Sequence, residues 1–63
     1  MNFTKNWKPE FVGKKIKVYL TNGRYCVGLL VSYSDSEVWI RKAGSLRLVM
    51  FNPDQIISAS FEE

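Results

Sequence analysis

The chain has no histidine, a single cysteine, Cys26, and only two prolines, Pro9 and Pro53, in 63 residues. One cysteine excludes an intrachain disulfide. Without histidine, no ordinary zinc ligand set can be assembled. No apolar run approaches the roughly 18 residues of a membrane span. Residues 1–13 hold no signal-peptide core, because Trp7-Lys8-Pro9-Glu10 interrupts them. An intracellular, cytoplasmic protein is the expectation, and a lone cysteine fits a reducing compartment. Catalysis has as little to draw on: there is no glycine-rich phosphate loop, no base beside the thiol and no carboxylate pair within one motif. Asp35 and Glu37 flank a turn, where charge serves solubility. The sequence predicts a non-enzyme with no metal and no cofactor.

What is present begins with size. Sixty-three residues make one domain, 1–63. A chain of about 60 residues buries only about 60% of its unfolded surface, so such domains usually lean on disulfides, metals or partner subunits. Association of copies is the helper left, although some domains of this size fold alone. The net charge of +3 is unevenly spread. Residues 1–24 carry Lys5, Lys8, Lys14, Lys15, Lys17 and Arg24 against Glu10. Residues 25–63 carry Arg41, Lys42 and Arg47 against Asp35, Glu37, Asp54, Glu62 and Glu63. A basic end attracts polyanions, nucleic acid above all; the plainer reading is a solvated face.

The order of residues predicts five strands. In 3–12, Phe3, Trp7 and Phe11 share one helical face, so a short helix or arm over 1–13 is expected, limited by Pro9. In 15–21, Ile16, Val18 and Leu20 alternate with Lys15, Lys17, Tyr19 and Thr21, the pattern of a half-buried strand. Asn22-Gly23 is a strong hairpin signal, because both residues tolerate positive φ. The strand returns over 25–33, where Cys26, Gly28 and Leu30 share a parity that Tyr33 breaks. A bulge between Leu30 and Tyr33 restores it. Gly28 inside a strand marks a bend or a close backbone approach. Further strands are expected over 38–42, 46–51 and 56–61, with turns at 34–37, 43–45 and 52–54. Short strands at this spacing indicate an all-β barrel or sandwich.

The fourth strand is apolar on both faces apart from Arg47: Leu46, Leu48 and Met50 on one, Val49 and Phe51 on the other. A domain this small has no core for both, and a bare edge invites another chain. A subunit interface is expected there; the alternative is a cover formed by the N-terminal segment. Trp7 and Phe11 are expected to close a barrel mouth. Trp39, out of phase with Val38 and Ile40, is expected at the surface or an interface.

Ile16-Lys17-Val18-Tyr19-Leu20-Thr21-Asn22-Gly23, followed by Gly28-Leu29-Leu30 and Tyr33, resembles the first motif of the Sm-like superfamily, which takes in Sm, LSm and bacterial Hfq proteins. Phe51-Asn52-Pro53-Asp54-Gln55-Ile56-Ile57 is weakly similar to the second. The resemblance spans about 14–61. It implies a five-stranded, strongly bent, SH3-like open barrel with a short N-terminal helix. It also implies a homo-oligomeric ring of five to seven copies, closed by pairing the fourth strand with the fifth of the next copy. Ile57 and Ala59 would then join Leu46, Leu48, Val49, Met50 and Phe51 at the interface. The implied partner is single-stranded RNA, and the implied role that of an RNA chaperone or scaffold.

The departures from the family pattern fall on its uridine pocket. Ser34 stands where the pattern has aspartate, Ser36 where a stacking residue is common, Val38 at a uracil-reading asparagine, and Asn52-Pro53 at the Arg-Gly. Asp35, Ser36 and Asn52 are the polar residues left on that pore side. The other face is better equipped. Tyr19 is similar to a tyrosine that in Hfq stacks on purines, and Arg24 and Tyr25 adjoin it. An aromatic platform beside a cation suits single-stranded nucleic acid; the plainer reading of Tyr19 is a cross-strand packing partner. Lys14, Lys15 and Lys17 are phosphate-contact candidates on the face carrying the N-terminal segment. Two other readings remain: a ring that serves structure or protein interaction after losing the pocket, and a monomeric SH3-like or oligonucleotide-fold barrel that binds peptide or DNA.

Overall fold

Alternation decides the first strand. In β1, Lys15–Leu20, the side chains of Ile16, Val18 and Leu20 are buried, while Lys15 and Tyr19 are exposed. The computed structural model describes residues 7–62. Within them follow β2 (Tyr25–Tyr33), β3 (Val38–Lys42), β4 (Leu48–Phe51) and β5 (Ile56–Glu62). All pairings are antiparallel, in one open sheet of order β4-β3-β2-β1-β5. No described helix is long and apolar enough to cross a membrane.

The β1–β2 hairpin closes with a three-residue loop. The Gly23 amide donates to the Leu20 carbonyl at 3.1 Å, and the Leu20 amide to the Arg24 carbonyl at 2.8 Å. Only Gly23 takes positive φ, at 86°; Asn22 keeps negative φ and accepts the Arg24 amide on its side-chain oxygen at 2.9 Å. Of the two residues that tolerate positive φ, only the glycine uses it. A longer loop built on an ordinary turn, with glycine as its left-handed third residue, fits the strand twist as well.

β2 carries the bend. The register against β3 slips between Leu30 and Ser32, which puts the bulge at the predicted break in parity. At Gly28, a methyl group would overlap the Arg41 carbonyl and come within 2.8 Å of Ile40 Cγ2. The backbone of β3 therefore crosses directly over it. Chain connectivity shows how far the sheet curls. β4 ends opposite Val38, beside the far end of β2; β5 begins opposite Leu20, beside its near end. Straight, those two ends of β2 would lie about 26 Å apart. Only Asn52 and the 3-10 turn Pro53–Gln55 join the strands, and such a turn advances about 2 Å per residue. A flat sheet could not be bridged that way.

Inside the curl lie Ile16, Val18, Leu20, Cys26, Leu30, Val38, Ile40 and Ile56. Burying each aliphatic side chain contributes about 1.5–3 kcal/mol. Val49, Phe51, Ala59 and Phe61 pack on this core from the two edge strands. Trp7 and Phe11 cover it: Trp7 meets Tyr33 and Phe61 edge-on at 5.4 and 5.2 Å, and Phe11 lies 4.5 Å from Phe61. The Tyr33 hydroxyl donates to the Trp7 carbonyl at 3.0 Å, which ties the N-terminal segment down.

The expected N-terminal helix is not an α-helix among the described residues. It is one 3-10 turn, Pro9–Phe11. Pro9 begins that turn, and Gly13, at φ 94°, swings the chain into β1 two residues after it ends. Phe3, the first residue of the predicted helical face, lies outside the described residues. β4 is also shorter than 46–51, because the turn after Lys42 runs on to Arg47, whose carbonyl accepts the Lys42 amide at 3.0 Å.

Candidate nucleic-acid interface

Register builds an outer face from β5, β1 and β2. Residues opposite one another form three rows: Ser58–Tyr19–Tyr25, Ser60–Lys17–Val27 and Glu62–Lys15–Leu29. In β1 and β2 these residues have the parity opposite to the core; in β5 the register shift beside Leu20 turns Ser58, Ser60 and Glu62 outward although they share the parity of the buried Ile56. Rows two residues apart are separated by about 6.7 Å.

In the first row the tyrosine rings lie 6.1 Å apart at 44°. Tyr19 is 43% exposed and Tyr25 62% exposed. The Lys17 ammonium reaches back from the second row, 5.2 Å from the centre of Tyr19 and 4.9 Å from that of Tyr25. Both distances fall within cation–π range. The Tyr19 hydroxyl, outweighing a smaller opposing effect of desolvation, holds the Lys17 amine above its ordinary pKa. This cluster offers two aromatic faces and a fixed positive charge to solvent.

The expected trio was Tyr19, Arg24 and Tyr25. The two tyrosines do come together, but the cation seated on their rings is Lys17. Arg24 stands in the adjoining loop, exposed, with its amide held by Asn22. Hairpin register was the missing signal: with Tyr19 opposite Tyr25, the outward residue two before Tyr19 lies diagonal to Tyr25.

The three candidate lysines divide between two places. Lys15 and Lys17 share the outer face. Lys14, one residue out of phase, turns to the N-terminal segment and lies 5.6 Å over the Phe11 ring. Lys15 is in an ion pair with Glu62, Nζ to Oε2 3.2 Å.

The pore-side candidates fall at one end of the sheet, because Val38 pairs with Phe51 and the turns holding Asp35, Ser36 and Asn52 lie just beyond that pair. Asn52 and the Ser36 amide are engaged in local structure. Asn52 accepts the Asp54 amide on its side-chain oxygen and donates its own amide to the Gln55 side chain, both at 2.9 Å. That reciprocal pair is a capping box for the Pro53–Gln55 turn. Ser34 accepts the amides of Ser36 and Glu37 on its hydroxyl, at 3.3 and 3.2 Å.

The interface candidates separate by face. Val49, Phe51 and Ala59 are half-buried against their own core. Leu46, at 89% exposed, Leu48, Met50 and Ile57 face solvent. Trp39 is half-buried opposite Met50 and donates its indole N–H to Glu37 at 3.3 Å. Cys26 lies in the core, and burial pushes its thiol up against a smaller opposing effect of Lys42, which favours the neutral form.

Comparison of the chain with protein-family models, with curated proteins and with solved structures gives no match.

Proposed function

We propose that this chain is a non-catalytic, Sm-like ring subunit that binds single-stranded RNA on the outer face of β1 and β2, and acts in the cytoplasm as an RNA chaperone or scaffold. The observation that carries the reading is the Lys17 ammonium seated against the exposed rings of Tyr19 and Tyr25. Every base has a π-face, so stacking on such a platform contributes about 1–3 kcal/mol per base with little sequence preference, while the cation meets phosphate. Repetition around a ring multiplies a weak site through effective concentration.

Support for the ring comes from the edges. Neither β4 nor β5 has a second partner strand among the described residues; Leu48, Met50 and Ile57 stand exposed along them, and Leu46 in the turn before β4. Pairing the β4 edge of one copy with the β5 edge of the next is a head-to-tail contact, which closes at five to seven copies when the rotation allows. Support for the Sm-like assignment is the strand order, the Asn22-Gly23 hairpin and the bend at Gly28.

A second reading, a structural or protein-interaction ring without RNA, is favoured by Asn52, whose side-chain oxygen and main-chain amide are both committed to a cap. Binding of labelled oligo-A and oligo-U at low salt separates the two. The RNA reading expects oligo-A to bind and Tyr19→Ala to weaken it about 5- to 150-fold, the equivalent of one lost stack. Failure of the wild-type protein to bind either RNA would remove it. A single 7.3 kDa species in size-exclusion chromatography with light scattering would remove the ring.

A further inference from the structure

Beside the tyrosine pair the outer face is hollowed. Lys15, Lys17, Val27, Ser60 and Glu62 border an open depression of about 300 Å³ across β5, β1 and β2. That is the low end of small-ligand sites, room for one sugar and base. Its walls differ in chemistry. Val27 offers an apolar side, Ser60 a hydroxyl, and Lys17 closes the end shared with Tyr19 and Tyr25. Lys15 closes the other end, but Glu62 holds it at 3.2 Å. Both partners of that ion pair are more than half exposed, so the pair is weak and easily exchanged.

Resting on the strand-binding reading, we propose that this hollow takes the nucleotide next to the one stacked on the tyrosines, and that Glu62 competes with its phosphate for Lys15. The rows Tyr19, Lys17 and Lys15 advance along β1 in steps of about 6.7 Å, the reach of one nucleotide of extended strand. A strand laid along them meets a stack, a cation, a hollow and a second cation. Glu62 masks that last cation while the site is empty. When phosphate arrives, the Lys15 ammonium exchanges one anionic oxygen for another, and Glu62 swings into solvent. The cost of that exchange lowers affinity and removes one phosphate contact from the salt dependence.

The test is fluorescence anisotropy with labelled oligo-A across a salt series, on wild-type protein, Glu62→Gln, Lys15→Ala and the double variant. Glu62→Gln is expected to bind about two- to fivefold tighter at low salt, the worth of freeing an exposed pair. It should also steepen the logarithmic salt slope by about 0.7 for each site engaged, the single-strand value for one more phosphate. In the Lys15→Ala background both effects should vanish. A gain from Glu62→Gln that persists there is a general charge effect and overturns the proposal, as does no gain at all. Oligo-A is also expected to shift the amide resonances of Val27 and Ser60, and unshifted resonances would overturn the hollow as a subsite. AMP titrated in parallel is expected to bind far more weakly than the strand, and equal affinity would make the hollow a free-nucleotide site. Loss of all oligo-A binding in the wild-type protein would instead bring down the strand-binding reading beneath it.

Discussion

The two halves of the outer face use similar strands for different surfaces. On β5, β1 and β2 the outward rows hold Tyr19, Tyr25, Lys15 and Lys17 beside serines. On β3 and β4 they hold Trp39 opposite Met50 and Arg41 opposite Leu48, with Leu46 beyond the strand end. The first half presents charge and π-faces, which suit a soluble polyanion. The second presents mainly apolar surface, broken by Arg41, beside the unpaired edge of β4, and under the proposed ring it faces another copy. One binary pattern with a shared inner face thus leaves the outer face free to divide its work. The seam between the halves is β2, bonded to β1 on one side and β3 on the other.

Breaking that seam should have the largest effect. Gly28→Ala puts a methyl group against the Arg41 carbonyl, which no side-chain rotation relieves. A loss of about 3 kcal/mol, the upper range for overpacking, is expected in urea denaturation. In a domain this small that is a large share of the total stability, and both halves should fail together. Wild-type stability in Gly28→Ala would mean that β2 and β3 separate freely there. Next comes a change confined to the second half. Leu48→Glu combined with Met50→Glu alters two exposed side chains, so the circular dichroism spectrum should stay β-rich while light scattering falls to a 7.3 kDa species. An unchanged assembly would separate the apolar half from any role between copies. The smallest effect lies where the halves are joined. Asn52→Ala removes the cap of the turn between β4 and β5 and should cost about 1 kcal/mol, read as a lower urea midpoint. Oligo-A affinity should not change, because Asn52 lies off the tyrosine face. A tenfold loss of oligo-U binding with unaltered stability would return Asn52 to a pore-side role.

Much of the β framework was legible in the residue order. Alternation in 15–20 named the buried Ile16, Val18 and Leu20, and the parity break before Tyr33 located the bulge. Asn22-Gly23 marked the hairpin, although the loop type depended on a backbone angle that its residue pair permits without dictating. The N-terminal segment was less legible. The spacing of Phe3, Trp7 and Phe11 suits a helix, but Pro9 and Gly13 leave room only for a 3-10 turn. In the candidate site, Tyr19 was singled out by its resemblance to the Hfq tyrosine, with alternation turning it outward, and Tyr25 by its place on the adjoining hairpin. Lys17 against the rings, the hollow, and Glu62 across from Lys15 were not. They arise from register between strands up to 47 residues apart in the chain, as with Lys15 and Glu62.

The sequence by itself determined which residues of β1 and β3 face inward, where the first hairpin lies and where β2 has to bend. Those are local consequences of side-chain alternation, of glycine at positive φ, and of the space that a missing Cβ leaves. Only the tertiary structure decided which outward residues meet. Lys17 lies beside Tyr25 and Lys15 beside Glu62 because antiparallel pairing places β1 between β2 and β5 in one particular register. A shift of a single residue would have kept every strand and scattered the site.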